Sequence, residues 1–185
     1  LSTGMSNISE IRNALSVIAF GYSSSSTELV HDQSFEKFLR SKAANESLKN
    51  KVTLLHCTSE YPAPFEDLNL NAMHTLAEEF NLQIGYSDHS LGIEVPIAAV
   101  AMGAKIIEKH FTLDKAMEGP DHRASIEPHE LERMVESIRN VDIAFGSPEK
   151  KIQTSELKNL SVVRKSIVAV NAISPGEVFS KANIG

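Results

Sequence analysis

The stretch from Ile84 to Thr112 reads IGYSDHSLGIEVPIAAVAMGAKIIEKHFT, and its pattern decides the fold. Two strand-like runs, Gln83 to Ser87 and Ala104 to His110, flank a helix-like apolar segment from about Ile93 to Met102, with Gly103 well placed to end that helix. This is a β-α-β unit, whose two strands run parallel because a helical crossover joins them. In parallel α/β architectures the carboxyl ends of strands carry the chemistry. Here they supply Ser87, Asp88 and His89 from one strand and Glu108, Lys109 and His110 from the next, so two histidines can converge across neighbouring strands.

Working outward, the alternation of strands and helices continues. Upstream, Val52 to Cys57 is rich in β-branched and leucine residues and is stopped by the prolines of Thr58-Ser59-Glu60-Tyr61-Pro62-Ala63-Pro64. Period-two alternation puts Leu55, Cys57 and Ser59 on one side, with Tyr61 following if the chain stays extended, and His56 on the other side, toward a helix. Leu68 to Phe80 has a helical stripe of Leu68, Ala72, Leu76 and Phe80, and leaves His74 solvated. At the start, LSTGM reads as a strand end entering a glycine turn. Ser6 and Ser9 are candidate N-caps of a helix bearing Ile11, Ala14, Leu15 and Ile18. Such a turn offers N–H groups and hydroxyls to an anion, or it is simply an α/β turn with no ligand. Between these, Gly21 to Asn50 holds a serine run and a short amphipathic segment around Phe35, Phe38 and Leu39, and reads as a surface excursion.

Downstream of His110 a long charged loop, FTLDKAMEGPDHRASIEP, precedes a helix from about Pro128 to Phe145 with Leu131, Met134, Val135, Ile138 and Ile143 on its apolar side. Gly146 to Asn159 is polar and aperiodic. Beyond it, Ser166 to Val170 and Glu177 to Phe179 read as two short strands around a turn at Ile173 to Gly176. The expected organisation is therefore a partial α/β barrel over residues 1–145, a linker over 146–163 and the start of a small β-rich domain over 164–185.

With 185 residues, 42% hydrophobic and 23% charged, the composition is that of an ordinary folded protein. A net charge of -6 argues against a nucleic-acid partner, which demands a basic face. No apolar run approaches the roughly 20 residues that span a bilayer. The single cysteine, Cys57, cannot form an internal disulfide, which suits a reducing cytoplasm.

Two imidazoles at adjacent strand ends suit Mn, Fe, Co or Zn and leave coordination positions open, although histidines at strand ends are also often structural. Glu108 shares parity with His110 and would sit beside such a metal as an orienting or proton-transferring carboxylate.

The motifs STGM, HCTSEYPAP, GYSDHS, EKHFT and GPDHRAS, in this order and spacing, resemble the sialic acid synthase family. The family joins phosphoenolpyruvate to N-acetylmannosamine or a related amino sugar. The resemblance implies the C-terminal part of a (β/α)8 TIM barrel, and the tail VVRKSIVAVNAISPGEVFSKANI looks like the entry to the family's antifreeze-like (SAF) domain. It implies that His89 and His110 hold a divalent metal, manganese or magnesium, and that Ser2 and Ser87 contact the phosphoenolpyruvate phosphate. Ser59, Tyr61 and Asp121 would line the amino-sugar site, with Ser59 standing where a relative has Asn. Glu108, Asp121 and Tyr61 are the groups offered for catalysis. The family also implies a cytoplasmic homodimer. The earlier barrel strands, with a catalytic glutamate and phosphate-binding lysines, have no counterpart in these residues, so the chain alone is expected to be inactive. Two readings compete with the synthase: a non-catalytic metal- or sugar-binding half that pairs with another polypeptide, and a metal-dependent hydrolase barrel, which the lack of further clustered carboxylates and histidines weakens.

Overall fold

The computed structural model of the chain describes residues 1–23 and 35–185, so the serine-rich part of the expected surface excursion, residues 24–34, lies outside the described residues. The elements are α1 (Ile8–Ser23), α2 (Glu36–Leu39), α3 (Lys42–Lys51), β1 (Thr53–Cys57), α4 (Ala72–Phe80), β2 (Gln83–Asp88), α5 (Glu94–Ala101), β3 (Ile107–Lys109), α6 (Pro128–Phe145) and α7 (Leu160–Val163). Two compact units emerge, Leu1–Gly146 and Ser147–Gly185.

In the first unit β1, β2 and β3 form a parallel sheet in that order. The register runs from Thr53↔Gln83 to Cys57↔Ser87 between β1 and β2, and from Tyr86↔Ile107 to Asp88↔Lys109 between β2 and β3. Parallel bridges extend the sheet at both edges, Ser2↔Leu55 beyond β1 and Phe111↔Ile126 beyond β3. The regular part of β3 is shorter than the expected Ala104 to His110, yet its flanks still bond to neighbouring strands. Lys105 N–H donates to Ile84 O at 2.8 Å, and Ile126 N–H donates to His110 O at 2.9 Å.

Alternation along the strands sorts the two faces of the sheet. Leu54, Ile84 and Tyr86 join Ile11 and Leu15 of α1, Leu48 of α3, Met73 and Leu76 of α4, and Val95 and Ala99 of α5 in one buried apolar cluster. Leu55 and Cys57 are also buried but lie outside it, on the opposite face. His56, as its parity predicts, turns to the helical side and bonds through Nε2 to Leu68 O at 2.8 Å. His74 is exposed on α4. Tyr86 is fully buried among the helices, and its hydroxyl meets no hydrogen-bond partner among the described residues. Burial pushes the ionisation of that phenol upward, with the Asp88 and Cys57 charges adding to it.

Several element ends differ from the sequence reading. The cap of α1 is Asn7, not Ser6 or Ser9. Asn7 Oδ1 accepts from Ser9 N–H at 2.9 Å and Glu10 N–H at 3.1 Å, while Glu10 Oε2 accepts from Asn7 N–H at 2.8 Å. That reciprocal box satisfies donors a helix start leaves open. The helix expected from Leu68 begins only at Ala72, and a 3-10 turn at Phe65–Asp67 comes before it. Leu68 and Leu76 of the expected stripe are buried, and so is Met73, which the stripe left out. Gly103 does follow the end of α5, at φ +105°, a backbone that L side chains rarely adopt. On α6, Met134 is buried, whereas Val135 is 44% and Ile143 78% exposed.

In the second unit the two expected strands do not pair with each other. Residues 168–170 instead meet 183–185 through a single antiparallel bridge, Ala169↔Ile184. Glu177, expected in a strand, accepts from Ser174 N–H at 2.9 Å and from Asn183 Nδ2 at 3.1 Å, which fixes a turn. Those bonds hold its carboxyl below its ordinary range. Part of the expected linker is helical too, as a 3-10 turn at Thr154–Asn159 and as α7.

Candidate active site at the carboxyl end of the sheet

The carboxyl ends of β1, β2 and β3 bring together Tyr61, Ser87, His89, Glu108 and His110. His89 follows β2 directly and is nine-tenths buried. Its Nδ1 lies 2.8 Å from Thr58 O. A carbonyl only accepts, so Nδ1 carries the proton and Nε2 presents a lone pair. The Tyr61 hydroxyl then donates to Nε2 at 2.9 Å, and the two rings stack at 4.0 Å between centroids. Burial is the main reason the histidine's pKa is lowered from its ordinary 6.5. The Thr58 bond opposes that shift, and the His110 charge adds to it.

The ring of His110 lies 5.6 Å from that of His89 and 4.8 Å from that of Tyr61. Two positions before the histidines, Ser87 donates from Oγ to Glu108 Oε1 at 2.6 Å, a length typical of a hydroxyl bound to a charged carboxylate. Ser87 Oγ is also 3.5 Å from His89 Nε2. For Tyr61, burial first, and then the negative charges of Cys57, Asp121 and Glu108, push ionisation upward. The phenol therefore stays protonated and able to donate.

The remaining expected residues sit at varying removes. Asp121 is exposed at the start of a 3-10 turn, His122–Ala124, and reaches the cluster only through its charge on Tyr61. Thr112 Oγ1 lies 2.7 Å from His122 Nδ1 and ties that loop to the segment that follows β3. Ser59 is exposed on the loop after β1, with its hydroxyl against Gly4. A Cβ built at Gly4 would stand 2.1 Å from Ser59 Oγ, so an alanine there would make the Ser59 hydroxyl turn away. Ser2 is on the edge segment beyond β1, and no side-chain bond joins it to the cluster among the described residues.

Four neighbours lay outside the expected site set. Cys57 Sγ is 3.8 Å and 3.9 Å from the two ring nitrogens of His89. Its parity with Leu55 and Ser59 already put it on this face. Thr58 contributes a backbone carbonyl, which no sequence pattern announces. Asp88 and Lys109, each just before one of the histidines, form a buried ion pair. A signal was present here, because opposite charges occupy the matching position of GYSDH and IIEKH.

The residues fit a divalent cation in their chemistry. His89 is a neutral imidazole whose Nδ1 is fixed by a carbonyl, the arrangement that prepares Nε2 as a ligand, and Glu108 is linked to that ring through the Ser87 hydroxyl. The two histidines are not joined by a third ligand atom of the same compactness. Among the described residues, the set of three ligand-type atoms that lie within 4.8 Å of one another is Glu127, His129 and Glu130. Helix capping accounts for that second cluster. Glu127 and Glu130 form a reciprocal box at the start of α6, and Glu130 pairs with Lys115 at 2.5 Å.

The family model described as the NeuB family matches residues 1–150. N,N'-diacetyllegionaminic acid synthase of Campylobacter jejuni is 47% identical over 184 residues, covering 100% of this chain and 48% of its own length. Human N-acetylneuraminate-9-phosphate synthase is 44% identical over 134 residues, 72% of this chain and 37% of its own. The crystal structure of the N-acetylneuraminic acid (sialic acid) synthetase of Leptospira borgpetersenii, in complex with citrate, superposes with a TM-score of 0.60 at 34% identity. That match covers 90% of this chain and 50% of the other. The chain thus spans about half the length of the curated relatives it matches.

Proposed function

The chain belongs to the NeuB family, and on that premise we propose that it forms part of an enzyme that condenses phosphoenolpyruvate with N-acetylmannosamine or a related amino sugar. The products are a sialic-type nonulosonic acid and phosphate. The observation that carries the reading is the convergence of His89, His110, Ser87, Glu108 and Tyr61 at the carboxyl ends of parallel strands, in a chain whose relatives are named synthases of such acids. In this proposal the parallel sheet is part of a (β/α)8 barrel, residues 1–145 its catalytic portion, 146–163 a linker and 164–185 the start of an antifreeze-like domain. The working enzyme is a cytoplasmic homodimer.

His89 and His110 would hold manganese or magnesium. Bound there, the cation supplies Lewis acidity toward the aldehyde oxygen of the sugar. The chain's own groups do the rest. Ser87, with Ser2 from the edge segment, grips the phosphate of phosphoenolpyruvate, whose C3 bonds to the aldehyde carbon. Water adds at C2, and the resulting tetrahedral centre expels phosphate. Glu108, already hydrogen-bonded to the Ser87 hydroxyl, is set to take or return a proton at that end of the pocket. With a cation on His89 Nε2, the Tyr61 hydroxyl would give up its bond to that nitrogen and, still protonated, donate to an oxygen of the sugar, while Ser59 and Asp121 contact its hydroxyl and N-acetyl groups. The smaller Ser59, in place of the Asn of a relative, leaves room that bears on which amino sugar is taken.

The test is a condensation assay on this chain joined to the N-terminal half of the Campylobacter jejuni relative. Phosphoenolpyruvate and N-acetylmannosamine or its diacetylated analogue are supplied, and phosphate release is followed. Turnover is expected in the joined protein, none in the 185-residue chain alone, and a drop of about a hundredfold or more in Glu108→Gln. Full turnover in Glu108→Gln would contradict the assigned role. Sugar binding without any phosphate release from the joined protein would favour a binding half instead.

A further inference from the structure

We infer that Asp88 and Lys109 are positioning residues, an ion pair that sets the spacing and orientation of His89 and His110. The inference rests on the reading of those histidines given above. Lys109 Nζ lies 2.5 Å from Asp88 Oδ2, with the two side chains 2% and 0% exposed. The same ammonium donates to Ser90 O at 2.6 Å. On the other side, Asp88 Oδ1 accepts from Ser90 N–H at 3.0 Å and from Ser90 Oγ at 2.7 Å. Both flanks of His89 are therefore tied to one buried cation, and that cation immediately precedes His110.

The rungs explain why charge stands here. Ser87 and Glu108 face each other across β2 and β3, and Asp88 and Lys109 form the next rung. Side chains alternate between faces, so the ion pair points away from the pocket while the histidines one position later point into it. Two independent cross-strand locks, Ser87–Glu108 on the pocket face and Asp88–Lys109 on the helical face, thus fix the register just where the strands end. A slip of one residue would turn every side chain to the other face. An apolar pair could fill the same volume, but it would leave the N–H and C=O of Ser90 without their partners and the His89 turn free to move. Buried ion pairs contribute little net stability against apolar replacements, and fixing a register is their best-attested use.

The test compares Asp88→Leu/Lys109→Met, Ser90→Ala and the core control Leu54→Ala with the unaltered chain. Three quantities are read: the urea midpoint, the imidazole NMR resonances and the ring-to-ring cross-peak of His89 and His110 without metal, and Mn2+ affinity by electron paramagnetic resonance. The double variant is expected to lower the urea midpoint, because the buried N–H and C=O of Ser90 lose their partners, and in its folded state to lose the cross-peak and bind Mn2+ about tenfold or more weakly. Leu54→Ala should lower the midpoint and leave both histidine readouts in place. Ser90→Ala, which removes only one hydroxyl donor, should shift the His89 resonances even if the double variant fails to fold. Unaltered histidine resonances in the double variant, or in Ser90→Ala where the double variant does not fold, overturn the inference, as does an equal loss in Leu54→Ala. Absence of Mn2+ binding in the unaltered chain would instead sink the metal reading, and the imidazole resonances alone would then decide the positioning role.

Discussion

His89 has each ring nitrogen committed, Nδ1 to a carbonyl and Nε2 to a phenol, so its tautomer follows from its partners. Tyr86 is the opposite case, a buried hydroxyl with no hydrogen-bond partner among the described residues. Leaving such a group unpaired costs about 1–3 kcal/mol. Tyr86→Phe is therefore expected to leave stability unchanged or raise it by about 1 kcal/mol in urea denaturation, and a clear loss would mean the hydroxyl has a partner. Gly4→Ala should push Ser59 aside and weaken sugar affinity in the joined protein, with the fold retained. Ser87, His89, Glu108 and His110 were legible because they stand at the ends of adjacent strands, with alternation pairing Glu108 and His110 on one face. Thr58 was not legible, since any residue type can lend a carbonyl. Cys57 and the Asp88–Lys109 pair had signals in parity and charge, but only the register turns those into contacts.

At the level of elements, long periodic segments were read correctly and their ends were not. The expected α6 matches the observed Pro128–Phe145, whereas α1 starts at a cap that depends on one side chain reaching two amides. The two C-terminal strands failed for a related reason. Hydrogen bonds from Glu177 and Asn183 compete with ladder formation and turn the chain instead. The start of α6 carries a pH-dependent prediction. A hydrogen bond from Lys115, then one from the Glu127 amide, holds the Glu130 carboxyl below its ordinary 4.5. A carboxyl depressed in the folded chain stabilises it fully above the ordinary value, and this is lost as pH falls through the folded value. Glu130→Ala should cost about 1 kcal/mol at neutral pH and flatten the acid limb of the stability profile below pH 4.5. An unchanged acid limb would show that this box contributes nothing.

For the whole molecule, the parallel sheet and its helical cover were legible because a β-α-β pattern admits few arrangements. No helix among the described residues is long and apolar enough to cross a membrane. Residues 1–146 expose Phe111 (49%), Val135 (44%), Ile143 (78%) and Phe145 (54%). If this unit is part of a larger barrel, as proposed, joining it to the N-terminal half of a relative should reduce its binding of an apolar dye such as ANS. Equal dye binding before and after would count against that closure. The central claim, that His89 and His110 together form a divalent-metal site, is met most directly by titrating the chain with Mn2+ and reading the free ion by electron paramagnetic resonance. Stoichiometric binding by the unaltered chain, lost in both His89→Ala and His110→Ala while each variant stays folded, is the predicted result. Binding that survives both substitutions would contradict it.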